Sequence, residues 1–345
     1  MASGLCSNSA KILEIRQWGD SFRLADVGRH FEDCINLKFT TTDTLNISNI
    51  TSLYRSFLNC KLVTGLNGIQ SWNTSNITNM EGTFRGASLF NPAIENWNTQ
   101  SVTTMREMFW FTTNFNRPIG TWNVSNVTDM YRTFANSNFN QNINSWNVGS
   151  VTTMRFMFDG NLLFNQPISG WNVSNVTEMG YMFAETKFNQ SIANWNVSSV
   201  NSMDGMFSRN TVFNQSLNQW NITNVINVNN MFYSATSFNQ PLSNWNVSNV
   251  NNMIGMFSYA TSFNQNIGGW NITNAQFFGY FMDGKTFNNY STTNYDALLN
   301  GWSNRNVRYG ESISFGTIKY SSAGSAGRTR LINNFGWTIA DGGQI

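Results

Sequence analysis

The sequence predicts a repeat solenoid: coils of 24–25 residues stacked on one another and capped at both ends. Three observations carry this. Tryptophan recurs at Trp72, Trp97, Trp122, Trp146, Trp171, Trp195, Trp220, Trp245 and Trp270, always 24 or 25 residues apart. Twelve residues after each Trp stands a phenylalanine, from Phe84 to Phe257, with Met282 in the last repeat. Hydrophobic residues make up 41% of the chain and charged residues only 11%, which supplies a core and excludes a disordered polyampholyte. One such unit cannot bury its apolar side alone, whereas stacked units cover each other.

Taken in chain order, residues 1–44 form an N-terminal cap. Leu45 then occupies a Trp-like place in "LNISNITSLYRSFLNC", a degenerate coil before the nine coils from Trp72 to Trp270. The array fills residues 45–290. In each coil, W-N-V-S-N-V alternates apolar and polar with β-branched Val, which predicts a short strand or extended corner, stacked parallel on the next coil. V-T-x-M-x-x-M-F, as in "VTEMGYMF" (176–183), spaces its apolar residues three and four apart behind a capping Ser or Thr, which predicts a turn or two of helix. "SFNQPIS" returns the chain to extended structure. One-residue length changes fall between the two Phe positions, so that segment is expected to be a surface turn.

Asn follows every Trp and every Phe of the FN pairs. An amide both donates and accepts, so both columns are expected to form stacked ladders. The N-x-S/T sequons at Asn73, Asn123, Asn172, Asn196, Asn221, Asn246 and Asn271 then arise from the repeat and are expected to be poorly accessible. Beyond residue 290 the period fades, and residues 291–345 are expected to cap the array, with "YDALLNGW" a short helix and "ISFGTIKYS" and "GWTIADGG" strands or edge segments.

Little in the chain suggests reaction chemistry. The single histidine, His30, reads as a surface or capping residue. Cys6, Cys34 and Cys60 lack zinc spacing, and Cys34 and Cys60 stand in similar contexts as small buried residues, a bridge between neighbouring coils being the alternative. Neither a G-x-S-x-G turn nor a Walker-type loop is present. A non-enzyme without cofactor or metal is therefore expected. Net charge is +2, which gives no electrostatic reason for a nucleic-acid partner. No run approaches the roughly 18 apolar residues of a membrane span, and the first residues lack the basic and apolar regions of a signal peptide.

The repeat "WNVSNVTxMxxMFxxATSFNQPI" resembles that of BspA-like leucine-rich-repeat surface proteins, including the lipoprotein-associated repeats of wall-less bacteria. "FEDCINL" (31–37) is similar to the F-x-x-C-x-x-L ending of that repeat, "ILEIRQWGDS" (12–21) to its N-terminal segment, and "YDALLNGWSN" and "NNFGWTIADGG" to its C-terminal cap. The resemblance implies a leucine-rich-repeat-like solenoid with one short parallel strand per coil. It also implies display at a cell surface or secretion, and adhesion or protein binding. It supplies no catalytic residues. Bacterial members usually carry an export signal and often an anchor. The chain starts at Met1 with neither, so an intracellular protein or a structural component of a virus or phage particle is the alternative.

In a solenoid, specificity lies where the repeat leaves residues free. The places after the Met of V-T-x-M and the turn beyond M-F vary, and aromatics collect there: Trp110, Phe111, Tyr131, Phe156, Tyr181, Tyr233 and Tyr259. Exposed aromatics with occasional Arg are the usual ingredients of protein interfaces, so these are the candidate interaction residues. The expected partner is a protein or glycan ligand, with lateral self-assembly into a lattice as a further possibility.

Overall fold

The computed structural model describes residues 13–345; residues 1–12 of the expected N-terminal cap, including Cys6, lie outside the described residues. The chain divides into two compact units, Met1–Asn175 and Val176–Ile345, both built from the same repeat. Positions below are counted from the Trp of each repeat.

Unit 1 opens with β1 (Glu14–Ile15), paired parallel with β2 (Lys38–Phe39). From there each repeat meets the next through a single-residue parallel bridge, Ser52 to Asn79, Thr104, Asp129 and Thr153 in turn. The apolar columns form the core. Trp72, Trp97 and Trp122 stack with centroids 5.9 and 6.2 Å apart, and Phe84, Phe109 and Phe134 at 5.9 and 5.6 Å. Each of these side chains is at most 5% exposed. A buried indole N–H needs an acceptor. Trp97, Trp122, Trp146 and Trp171 donate theirs to the backbone carbonyls of Ile69, Ile94, Ile119 and Ile143, one repeat back.

The expected short helix is not formed. In its place two consecutive turns carry the M-x-x-M-F segment, and their four outward N–H groups leave the repeat instead of bonding within it. In the Trp97 repeat, Met105, Glu107, Phe109 and Phe111 donate to the carbonyls of Asp129, Tyr131, Thr133 and Ala135 in the next. Positions +10 and +14 adopt left-handed backbone to do this, for example Glu107 (φ 57) and Phe111 (φ 57). Paired turns advance their apolar residues about as fast as a helix does, which is why the spacing read as helical. W-N-V-S-N-V likewise makes no strand; the bridge falls on the single residue at +7.

The two Asn columns part company. In the FN column a ladder does form: the Oδ1 of Asn91, Asn116 and Asn140 accepts the backbone N–H of Asn116, Asn140 and Asn165 respectively. The Asn after Trp stays local and exposed: Asn73 and Asn123 each accept the N–H two residues on. Those sequon amides are therefore open to solvent, contrary to the expectation of poor access. Between the Phe positions the turn is only partly at the surface. In the short repeat Ser137 is buried, and in the repeat after it the fully buried Asn161 sends its Nδ2 to Ser137 Oγ and the Phe139 carbonyl.

His30 is fully buried rather than at the surface. Its Nε2–H donates to the Ala25 carbonyl, 2.7 Å, and its Nδ1 accepts from Ser56 Oγ, 2.8 Å. Burial lowers its pKa below the usual imidazole value. Cys60 is a free, buried thiol that donates to the Phe31 carbonyl, so no bridge joins it to Cys34; burial raises its pKa to about 12.

Unit 2 repeats the pattern with bridges at Glu178, Ser202, Asn227, Asn252 and Phe277. Phe183, Phe207, Phe232 and Phe257 stack 5.6–5.8 Å apart. The FN ladder runs from Asn189 through Asn214, Asn239 and Asn264 to the N–H of Ser291. Ser291 then caps α1 (Thr292–Ser303) by accepting from Asn294 N. Trp302 of α1 takes the place of the next column Trp: its indole donates to the Ile267 carbonyl, as Trp270 does to Leu242. After α1 come β3 (Ser312–Ser314), α2 (Ser322–Phe335) and β4 (Thr338–Ala340), with β3 and β4 parallel. The layering thus continues where the sequence period has faded, with helices closing the loops. Helix α2 approaches α1 at Gly324 and Gly327, where an added Cβ would lie 2.2 and 2.6 Å from Asp296 and Asn300 atoms.

Candidate interaction surface

Seven aromatics mark the candidate surface, and the turn pair places them. Tyr131 stands at +9, Phe156 and Tyr181 at +10, Trp110 and Tyr233 at +13, Phe111 and Tyr259 at +14. With the N–H groups at +8, +10, +12 and +14 committed to the next repeat, these side chains project from the outer side of the turns. Left-handed backbone costs a bulky L-residue about 1–2 kcal/mol. Phe111, Phe156, Tyr181 and Tyr259 hold it nonetheless, with φ between 57° and 59°.

In unit 1 three of the aromatics come together through arginine, and Phe111 joins them by stacking on Trp110. The Arg85 guanidinium lies 3.9 Å from the centre of the Trp110 ring, and that of Arg132 lies 4.5 Å from it. Arg132 also lies 5.1 Å from the Tyr131 ring and 4.7 Å from Phe156, while Arg106 covers Tyr131 at 4.0 Å. Trp110 and Phe111 stack at 5.3 Å, and Tyr131 meets Phe156 edge-on at 5.7 Å. Two of the arginines are also paired with carboxylates, Arg85 with Glu107 at 2.7 Å and Arg106 with Asp129 at 3.5 Å. A guanidinium over a ring face is worth about 0.5–1 kcal/mol at exposed sites. The rings and arginines therefore hold one another in fixed orientations. Phe111 is the open member, 48% exposed.

Unit 2 has contacts of the same kind. Tyr233 and Tyr259 meet edge-on at 5.9 Å, and Arg209 lies 5.7 Å from the Tyr233 ring while paired with Glu185 at 2.8 Å. Tyr181 lies over Gly205 and Tyr259 over Gly284, each so close that a Cβ on the glycine would be within 2.4 Å of the ring.

Two aromatics of the same columns escaped the sequence reading. Tyr54, at +9 from Leu45, lies between Arg29 and Arg55, 5.3 and 5.1 Å from their guanidinium carbons. Tyr280, at +10 from Trp270, is left-handed (φ 61) and 67% exposed. Counting offsets from Leu45 and Trp270 as from the other repeats would have found both. Elsewhere, Lys285 is fully buried, and its Nζ shares at most three N–H groups among the carbonyls of Ala260, Thr261, Phe263 and Asn289, all within 3.2 Å. Burial pushes this ammonium down to about 7.

Among the described residues, no cluster of His, Cys, Asp and Glu could hold a metal ion, and no helix is long and apolar enough to cross a membrane. The family model described as "Mycoplasma protein of unknown function, DUF285" matches the chain three times in tandem, over residues 25–138, 118–218 and 184–295. No curated protein and no solved structure matches it.

Proposed function

Since the chain belongs to the DUF285 family, whose description assigns no activity, we propose a role from its own surface: a non-enzymatic, leucine-rich-repeat-like solenoid, of the BspA-like kind, displayed at a surface to bind a protein partner. The observation that carries this is the set of aromatics held at left-handed positions. The same columns accept glycine without strain at Gly82, Gly86, Gly160, Gly205, Gly255 and Gly284. Phe111, Phe156, Tyr181 and Tyr259 therefore occupy places where the fold alone favours Gly or Asn. Strain kept at a surface, beside arginines already oriented by rings, is the signature of a contact patch.

The test is a protein-array screen of the whole chain beside a variant carrying Phe111→Gly, Phe156→Gly, Tyr181→Gly and Tyr259→Gly. The variant keeps the backbone it needs, and circular dichroism and melting check that it does. The expected result is one or more protein partners bound by the parent chain and lost by the variant. A screen without partners, or partners kept by the variant, refutes the reading.

A further inference from the structure

Unit 2 carries a second surface that the aromatic columns do not touch. It is a shallow groove of about 430 Å³ lined by Asn224, Ile226, Asn249, Asn251, Asn274 and Gln276. The lining falls into two rows, Asn224, Asn249 and Asn274 at +4 and Ile226, Asn251 and Gln276 at +6, one residue of each row per repeat.

The hydrogen bonding fixes what each row can offer. Asn224, Asn249 and Asn274 donate Nδ2 to the carbonyls of Ser198, Thr223 and Ser248. That anchors the amides and leaves the Oδ1 acceptors at the groove without a protein partner among the described residues. In the facing row, the side-chain amides of Asn251 and Gln276 make no bond to protein among the described residues, so both retain donors and acceptors. Ile226 adds an apolar spot, 47% exposed. No charged residue stands between +1 and +6 in any of the four repeats from Trp195 to Trp270.

From this arrangement we infer a binding site for a neutral, linear oligosaccharide lying along the groove. Anchored acceptors opposite free amides suit vicinal hydroxyls, each of which donates and accepts. The apolar spot suits the C–H face of a sugar ring. Asn274 and Gln276 stand one repeat, about 4.8 Å, beyond Asn249 and Asn251, so two consecutive sugar rings would meet equivalent partners. An extended peptide fits less well. The backbone along the +6 row is already used, Ile226, Asn251 and Gln276 donating to the carbonyls of Asn201, Ile226 and Asn251, so no free edge remains for strand addition. Nor is there a charge to pair with a peptide's ionised groups.

Isothermal titration and ligand-observed NMR of the whole chain, using hexasaccharides of β-1,4-linked glucose, β-1,3-linked glucose and β-1,4-linked N-acetylglucosamine, test the inference. At least one is expected to bind, and Asn251→Ala with Gln276→Ala is expected to weaken it about tenfold, the equivalent of one or two ordinary hydrogen bonds. Both residues lack protein partners for their side chains, so the double variant should fold; its melting temperature checks this. Tyr259→Ser, outside the groove, should leave sugar binding unchanged, which separates this site from the protein-binding surface. Binding by none of the three, equal binding by the double variant, or preference for a sulfated or uronic-acid chain over all three overturns the inference.

Discussion

Lys285 shows how one residue can set a pH response. It stands at +15, where Asn161 and Asn210 occupy other repeats and satisfy the matching Phe carbonyl. Its ammonium titrates near 10.5 when exposed but at about 7 in the fold. Between those values the unfolded chain holds a proton that the folded chain has released, so stability rises as pH climbs from about 7 towards 10, and the cost of the buried charge is greatest below pH 7. The carbonyl acceptors around Nζ favour the charged form and moderate this slope. Melting measured at pH 6.5 and 9.5 should show a gain for the parent chain, and Lys285→Asn should remove most of that gain. His30 acts in the same direction at lower pH, since its lowered pKa means that acid costs stability below about 6.5. Tyr280 offers a simpler case: exposed and left-handed, it should gain about 0.5–1 kcal/mol on conversion to Asn, which tolerates that backbone. Urea denaturation reads the gain, and a loss would show that the Tyr280 ring holds contacts worth more than the strain.

At the scale of the repeat, the apolar columns were legible because Trp, Phe, Met and Ile recur unchanged, and identical residues in register must bury against each other. The turn pair was not, because apolar spacing alone does not distinguish a helix from two successive turns. A signal did exist. Gly or Asn stands at +10 or +14 in eight repeats of the array, from Asn59 to Gly284, and left-handed turns call for those residues. The candidate aromatics were legible as departures from the repeat, whereas most of their arginine partners were not, since those come from neighbouring repeats about 22–25 residues away. The shortened turns are instructive too. Thr186 stands in a repeat one residue short, and Asn210 in the following repeat fills the gap, donating to Thr186 Oγ1 and the Phe188 carbonyl while accepting from Val212 and Phe213 N–H. Asn161 does the same after Ser137. Asn210→Ala should therefore cost about 2–3 kcal/mol by leaving buried polar groups unpaired. Asn239→Ala, which removes an exposed rung accepting from Asn264 N and Gln265 Nε2, should cost nearer 1 kcal/mol. Equal losses in chemical denaturation would contradict this ranking.

For the molecule as a whole, the C-terminal helices do what the repeat could not continue to do. Helix α1 brings Trp302 against Phe278 and Phe281 at 5.7 Å, and Trp337, just before β4, meets Phe278 at 5.6 Å. Tyr295 and Arg328 converge on Asp341, tying α1, α2 and the last layer together. A chain ended at residue 290 should expose these rings, bind a hydrophobic dye and aggregate, and a monomeric, dye-silent product would refute that account of the closure. The sequence period faded here because helices of 12 and 14 residues replace the turns, while the layering itself went on. Within each unit the donors of the turn pairs point toward the following repeat and the acceptors toward the preceding one, as from Met105 to Phe111 and from Met203 to Arg209. That one-way polarity makes each repeat an interchangeable part with a plug on one side and a socket on the other. Duplication or loss of a whole repeat preserves every junction, whereas insertion of a single residue between +8 and +14 breaks four at once. Repeat number is therefore a change in length that this bonding pattern tolerates within a unit.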